Sequence, residues 1–158
     1  MVKRIGFCCQ WFHHDQSLPK KQLEEIQRPF NTKATTVRWL NEHKSEADAK
    51  LDMVVKHNIE SLKKLITKVG TLPAGRRMCR LGSPVLPMAT EATWRKYIDS
   101  KEIVNYCEKH FAEVGDLART LDVKISFHPG QFTVLASESD DVVRRSIDEF
   151  EYHANMAR

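Results

Sequence analysis

His128 closes an apolar, partly β-branched run of Val123, Ile125 and Phe127, and Pro129 and Gly130 follow it at once. A histidine fixed between a strand and a turn can present a neutral imidazole in one orientation, which suits a divalent-metal ligand or a general base. The competing reading is a structural histidine at a strand end. Just past the turn stand Gln131 and Phe132. A carboxamide can exchange hydrogen bonds with the edge of a flat polar ring, and an aromatic ring can stack on it or wedge beside it.

Residues of this kind need elements to carry them. The run before His128 reads as a buried strand that delivers them at its carboxyl end, where α/β proteins build sites because the strand-to-helix connection can vary freely. Two earlier stretches share that form. Arg4 to Cys9 reads as a first strand leading into Gln10, Trp11, Phe12, His13, His14 and Asp15, and Arg77 to Leu81 reads as a second, leading into Gly82, Ser83 and Pro84. Trp11 and Phe12 can be a loop packing onto the core. His13 and His14 read as a solvated pair, since adjacent side chains diverge from a common metal unless the backbone folds back sharply. Arg80 and Ser83 can meet a phosphate, or instead pair with a carboxylate and close a turn.

Between the strands, Ser17 to Lys33 is polar and irregular with a short helix at Lys20 to Gln27, and Thr35-Thr36 opens another through Val37 and Leu40. Helical spacing predicts a long helix from about Ser45 to Lys68, capped by Ser45, with Leu51, Val55, Asn58 or Ile59, Leu62 and Leu65 or Ile66 inward. Asn58 is either a structural amide satisfying a loop or a group at the site. A second helix is expected from about Asp99 to Leu121, with His110 as a half-buried packing residue. A third begins near Ser137 or Ser139 and turns Val143, Ile147, Phe150, Ala154 and Ala157 inward. Three successive βα units imply a parallel α/β sheet with every carboxyl end on one side. Gln10-Trp11, Arg80-Ser83 and His128-Gln131-Phe132 would then share one site.

Composition narrows the class. The 158 residues, 41% hydrophobic and 29% charged, are those of an ordinary globular chain, and one domain over 1–158 is expected. No apolar run approaches the roughly 18 residues of a membrane span, and Met1 to Arg4 lead into a strand rather than a leader, so no membrane association is expected. The four cysteines lack CxxC spacing and read as reduced, mostly buried thiols of an intracellular protein. A net charge of +4 permits a polyanionic partner but is common among metabolic enzymes too.

The stretch Ile125 to Leu135, followed by Ser146-Ile147-Asp148-Glu149-Phe150 and Tyr152-His153-Ala154, closely resembles the UV damage endonucleases. Arg4 to Phe7, Thr35-Thr36 with Leu40-Asn41, Asn58 with Leu62, and Arg80 with Ser83 and Leu86-Pro87 fall in the order of that family's landmarks. The resemblance covers nearly the whole chain except Ser17 to Lys33. It implies a TIM (β/α)8 barrel of which about three βα units are present here, a partial barrel corresponding to the amino-terminal part. It also implies binding of damaged double-stranded DNA, and metal-dependent cleavage of the backbone 5′ to UV lesions with divalent ions, manganese among them. By the same resemblance His128 would be a catalytic metal ligand and Gln131 and Phe132 the pair inserted at the lesion, with Gln10, Trp11, Arg80 and Ser83 as neighbours on the DNA. Some members carry tyrosine at the Phe132 position, histidine at Pro84 and asparagine near Trp11.

A complete barrel needs eight βα units and about 250 residues. His128 alone cannot hold a multi-metal cluster. The expectation is therefore a piece of a longer endonuclease, half of a split protein, or a shortened relative that closes as a homo-oligomer or on a complementary chain, located in the cytoplasm or at the nucleoid. The alternatives are a non-catalytic module that binds damaged DNA and another metal-dependent TIM barrel such as a sugar isomerase.

Overall fold

The computed structural model describes residues 3–158; Met1 and Val2, the start of the segment expected to lead into the first strand, lie outside the described residues. Three short strands, β1 (Phe7–Cys8), β2 (Met78–Gly82) and β3 (Lys124–His128), form a parallel sheet in the order β1-β2-β3. Cys8 pairs with Arg80, Arg80 with Ser126, and Gly82 with His128. The helices are α1 (Lys20–Gln27), α2 (Val37–Glu42), α3 (Ala47–Gly70), α4 (Arg95–Ile98), α5 (Lys101–Thr120) and α6 (Asp140–Ala157). The alternation of strand and helix expected from the sequence is present, with α4 as an unforeseen turn ahead of α5.

Parallel pairing gives the sheet two unlike faces, because successive side chains alternate. Phe7, Cys79, Leu81, Ile125 and Phe127 pack with the apolar stripes of α3 and α5, in a core that includes Leu62, Ile66, Val69, Ile103, Cys107 and Val114. Burying one such aliphatic side chain contributes about 1.5–3 kcal/mol, while a surface ion pair contributes about 0–1 kcal/mol, so apolar stripes dock these helices. On the opposite face Cys8, Arg80, Lys124 and His128 are exposed. Gly6 permits the closest approach of β1 to β2, since a Cβ there would lie 2.2 Å from the Met78 carbonyl oxygen.

The predicted stripe of α3 is buried throughout, Asn58 included. Its start differs, for Ser45 does not cap it: residues 43–46 form a turn in which the Glu46 N–H donates to the His43 carbonyl at 2.9 Å, and the helix begins at Ala47. Thr36 does cap α2, its hydroxyl accepting from the Trp39 N–H at 3.2 Å. At the amino end of the sheet, the Arg4 guanidinium grips both carboxylate oxygens of Asp122 at 2.9 and 2.7 Å, holding the left-handed turn at Asp122 (φ 53°) that leads into β3.

The largest departure is α6. Ile147 and Phe150, expected inward, are 49% and 45% exposed, and Ala154 and Ala157 are exposed as well. The face turned inward instead carries Ser146, Glu149, Tyr152, His153 and Met156, with Val143 at its edge. Polar groups occupy it because the strand-end loops it covers have backbone groups that need partners.

Asn58 binds two loops at once. Its Oδ1 accepts from the Lys33 N–H at 2.7 Å, and its Nδ2 donates toward the carbonyls of Lys33, Pro84 and Val85 at 3.0, 2.9 and 3.0 Å. Replacing Asn58 with Ala strands these groups away from water and is expected to cost about 2–4 kcal/mol. Urea unfolding checks this; an unchanged midpoint would contradict the clamp.

Candidate functional site at the strand ends

All three strands end on the same side, and each contributes differently. β1 runs into Cys9, whose φ of 64° is left-handed and turns the chain back on itself. The Cys8 and Cys9 Sγ atoms consequently lie 3.2 Å apart, one thiol donating to the other. Cys9 also lies over Gly82, where a Cβ would meet the Cys9 Cβ at 3.6 Å. Burial, the hydrogen bond to Cys8 and the charge of that neighbour push the Cys9 thiol up to about 11, with Arg80 opposing. Cys9 is therefore a neutral thiol near pH 7 rather than a ready nucleophile.

Past Cys9, Gln10 is exposed, and Trp11 turns away from the strand ends. The Trp11 N–H donates to Asn31 Oδ1 at 2.8 Å, its carbonyl accepts from Asn31 Nδ2 at 2.9 Å, and its ring centroid sits 4.7 Å from that of Phe30. Trp11 thus takes the packing alternative open to it in the sequence. The His13 and His14 rings lie 4.3 Å apart between centroids, tilted by 37°, while Asp15 is engaged by the Ser17 N–H and hydroxyl.

After β2, Ser83 donates its hydroxyl to Glu149 Oε1 on α6. Tyr152, one turn further along α6, donates to the Ser83 carbonyl at 3.0 Å and accepts from the Leu86 N–H at 2.8 Å. Burial pushes the Tyr152 phenol up, which keeps it a donor. Arg80 lies on the open face and donates from Nε to the Phe127 carbonyl at 3.2 Å, leaving the rest of its guanidinium accessible.

The loop after β3 is tied at both ends. The Gly130 N–H donates to the same Glu149 Oε1 at 3.1 Å, the Thr133 N–H to the Gly130 carbonyl at 3.0 Å, and the Val134 N–H to the Ser146 hydroxyl at 2.8 Å. Between these ties Gln131 is exposed and Phe132 is 82% exposed. A fixed loop thus holds a bare phenyl ring in solvent. His128 is exposed at the end of β3, opposite Gly82, and its ring nitrogen groups with the Cys8 and Cys9 sulfurs, all three within 4.8 Å of one another.

Arg80, Ser83, His128, Gln131 and Phe132 therefore share one end of the sheet, with Gln10 beside them. Cys8, Cys9 and Glu149 also lie at this end of the sheet, and the sequence pattern alone gave them no place in the site. The adjacency of the two cysteines was the only available sign for the first pair. Glu149 could have been found from its position one helical turn before Tyr152 and His153. His153 is 5% exposed and hydrogen-bonds from Nδ1 to the Glu149 carbonyl at 2.7 Å, leaving Nε2 without a partner among the described residues.

A family model described as UV-endonuclease UvdE matches residues 4–158. The chain belongs to this family. A UV DNA damage endonuclease of Bacillus velezensis is 28% identical over 162 residues, covering 99% of this chain and 43% of that protein. One from Clostridium perfringens is 26% identical over 132 residues, covering 81% of this chain and 29% of that protein. The crystal structure of SacUVDE superposes with a TM-score of 0.70 at 21% identity, covering 97% of this chain and 44% of that one. The chain thus spans less than half the length of these UvdE relatives, and the likeness to SacUVDE establishes a shared α/β arrangement with a small parallel sheet. No helix among the described residues is long and apolar enough to cross a membrane.

Glu149 is the tie common to two of the three strand ends. A Glu149→Gln variant keeps the volume but loses the charge that strengthens these bonds, and is expected to lower stability by about 1–3 kcal/mol. Amide exchange at Gly130 should accelerate more than exchange within α3; equal protection in variant and parent would contradict the bracing role.

Proposed function

We propose that this chain supplies three βα units of a UvdE-type (β/α)8 barrel that recognises UV-damaged duplex DNA, and that the assembled barrel cleaves the phosphodiester backbone 5′ to the lesion. The observation that carries the reading is the braced loop holding Gln131 and Phe132 in solvent beside His128. An unpartnered phenyl ring on a fixed support is suited to enter a distorted base stack, because the loop is ordered before binding and little conformational entropy is lost. Gln131 next to it offers both a donor and an acceptor to base edges. Arg80, with part of its guanidinium accessible at this sheet end, fits a nearby phosphate, whereas the Ser83 hydroxyl is committed to Glu149 and serves the turn, and Gln10 lies within the same rim. Trp11, packed on Phe30, supports the rim from behind.

The barrel reading rests on the one-sided sheet. Parallel strands are normally covered on both faces, and here the face bearing Cys8, Arg80, Lys124 and His128 is bare. Closure of further strands around it would turn this face into an interior, with the completing strands drawn from the remainder of a longer chain, a complementary chain or a second copy. A bound divalent ion would supply Lewis-acid stabilisation of the phosphoryl oxygens and an activated water. The donors of this chain do not by themselves fit a manganese cluster, which favours oxygen ligands. The carboxylate that faces the strand-end loops, Glu149 on α6, is engaged by Ser83 and Gly130, and the described residues converging with His128 are thiols. His128 is accordingly this chain's contribution to a catalytic metal centre, whose carboxylates come from elsewhere in the barrel.

A second reading, a module that binds damaged DNA without cutting it, is favoured by that same shortage of carboxylates. The two separate in a nicking assay on UV-irradiated duplex with added manganese, with and without the remaining barrel strands. Replacing Gln131 and Phe132 together with Ala is expected to lower the preference for irradiated over intact duplex roughly tenfold, the scale of one lost base stack, while salt-sensitive binding to intact duplex persists. Equal loss on both duplexes would overturn the probing role. His128→Ala should weaken manganese binding by the assembled barrel; unchanged stoichiometry and affinity would remove it from the metal centre.

A further inference from the structure

Among the described residues, the one group of three metal-ligating side chains whose donor atoms converge is Cys8, Cys9 and His128, with all three atoms within 4.8 Å of one another. The geometry is unusual for adjacent residues. Neighbouring side chains on a strand point to opposite faces, so Cys8 and Cys9 would ordinarily diverge. The left-handed φ at Cys9 reverses that, bringing the two sulfurs to 3.2 Å, and the pairing of Gly82 with His128 sets the imidazole beside them. Cys8 and His128 are exposed and Cys9 half-buried, so an ion and its hydration water can reach the group.

We propose that Cys8, Cys9 and His128 form a three-donor site for a thiophilic divalent cation of the zinc class, open at its fourth position. Two thiolates and an imidazole are borderline-soft donors, which select zinc over manganese or magnesium. Two sulfurs bound at ~2.3 Å to one tetrahedral ion lie about 3.8 Å apart, so the Cys8–Cys9 pair needs to open by only about half an ångström. The exposed Cys8 side chain has room to make that movement. Both thiols lose their protons to solvent on binding, and the cation takes the place of the proton now shared between the sulfurs. A backbone strained at Cys9, where glycine would be relaxed, is consistent with a positioned donor. The site uses the same His128 as the reading above, so zinc held here competes with any ion of the assembled barrel for that imidazole, and it goes beyond that reading in assigning a different class of ion and two further ligands. It requires no DNA.

Cobalt(II) added to the 158-residue chain, kept reduced with a phosphine, tests this directly. One equivalent should produce thiolate-to-cobalt charge-transfer absorption with tetrahedral d–d bands, and zinc should bleach them while a large excess of manganese does not. Cys8→Ser should reduce the charge-transfer intensity by about half and weaken zinc binding roughly tenfold or more. Cys8→Ser/Cys9→Ser should abolish the absorption, and His128→Ala should keep it while weakening zinc binding. Far-ultraviolet circular dichroism establishes that each variant is folded, and should the double variant unfold, Cys8→Ser and His128→Ala still decide. No charge-transfer band in the parent would overturn the site, as would a band that survives in the double variant and so arises at Cys79 or Cys107. Equal competition by manganese would overturn its assignment to soft cations. Damaged-duplex binding, measured separately, reports on the DNA reading alone, so either proposal can fail without the other.

Discussion

An amide group removed from water and left without partners costs a few kcal/mol, and a buried side-chain amide can offset that only by meeting several backbone groups at once. Asn58 does this with its two N–H donors shared among three carbonyls and its oxygen accepting a fourth bond. It projects from the middle of α3, the helix most deeply set in the core, and reaches both the Lys33 segment and the turn after β2. The long polar connection after β1 is thus fixed to the same helix residue as the second strand end. His57, one residue before Asn58, adds a hydrogen bond to the Asn31 carbonyl at 3.1 Å, and Trp11 and Phe30 pack on the core beside it, so the same helix fixes this segment at successive points.

Glu149 and Tyr152 repeat the device from the other side. Each takes hydrogen bonds from a strand-end loop to a helix that has already buried its neighbours, and together they serve the turns after β2 and β3. The rim of the sheet is therefore held by polar side chains from α3 and α6, while the sheet is held by apolar packing below. This separation explains how Gln131, Phe132 and His128 can be exposed and still positioned. It also explains why the open face carries Arg80 and Lys124 at no cost to the core, which lies on the opposite face.

Much of this was legible in the sequence. The stripe from Leu51 to Ile66 specified α3, the span Lys20 to Gln27 appeared as written, and Pro129-Gly130 after His128 marked the end of β3. What was not legible followed from contacts distant in sequence. Periodicity places apolar residues inward, so it turned Ile147 and Phe150 toward the core; the loops under α6 instead demanded Ser146, Glu149 and Tyr152. The thiol pair was hidden for a different reason. Cysteines in an apolar run read as buried, and a single left-handed φ at a residue other than glycine has no sequence signature, yet it is what aims Cys9 at Cys8 and His128. Asn58 sat between two readings until its partners were seen.

The ties from α6 also impose an order on assembly. The strands begin to bury their apolar face on α3 and α5, and α6 adds Tyr152 and Met156 to that core, but the Ser83 hydroxyl and the Gly130 and Val134 N–H groups gain their side-chain partners only when residues 146–152 dock. During synthesis from the amino terminus, these three strands would be made before the helix that ties their rim. α6 thus acts as a latch: the loop that presents Phe132 takes its ties from a helix that follows it in the chain.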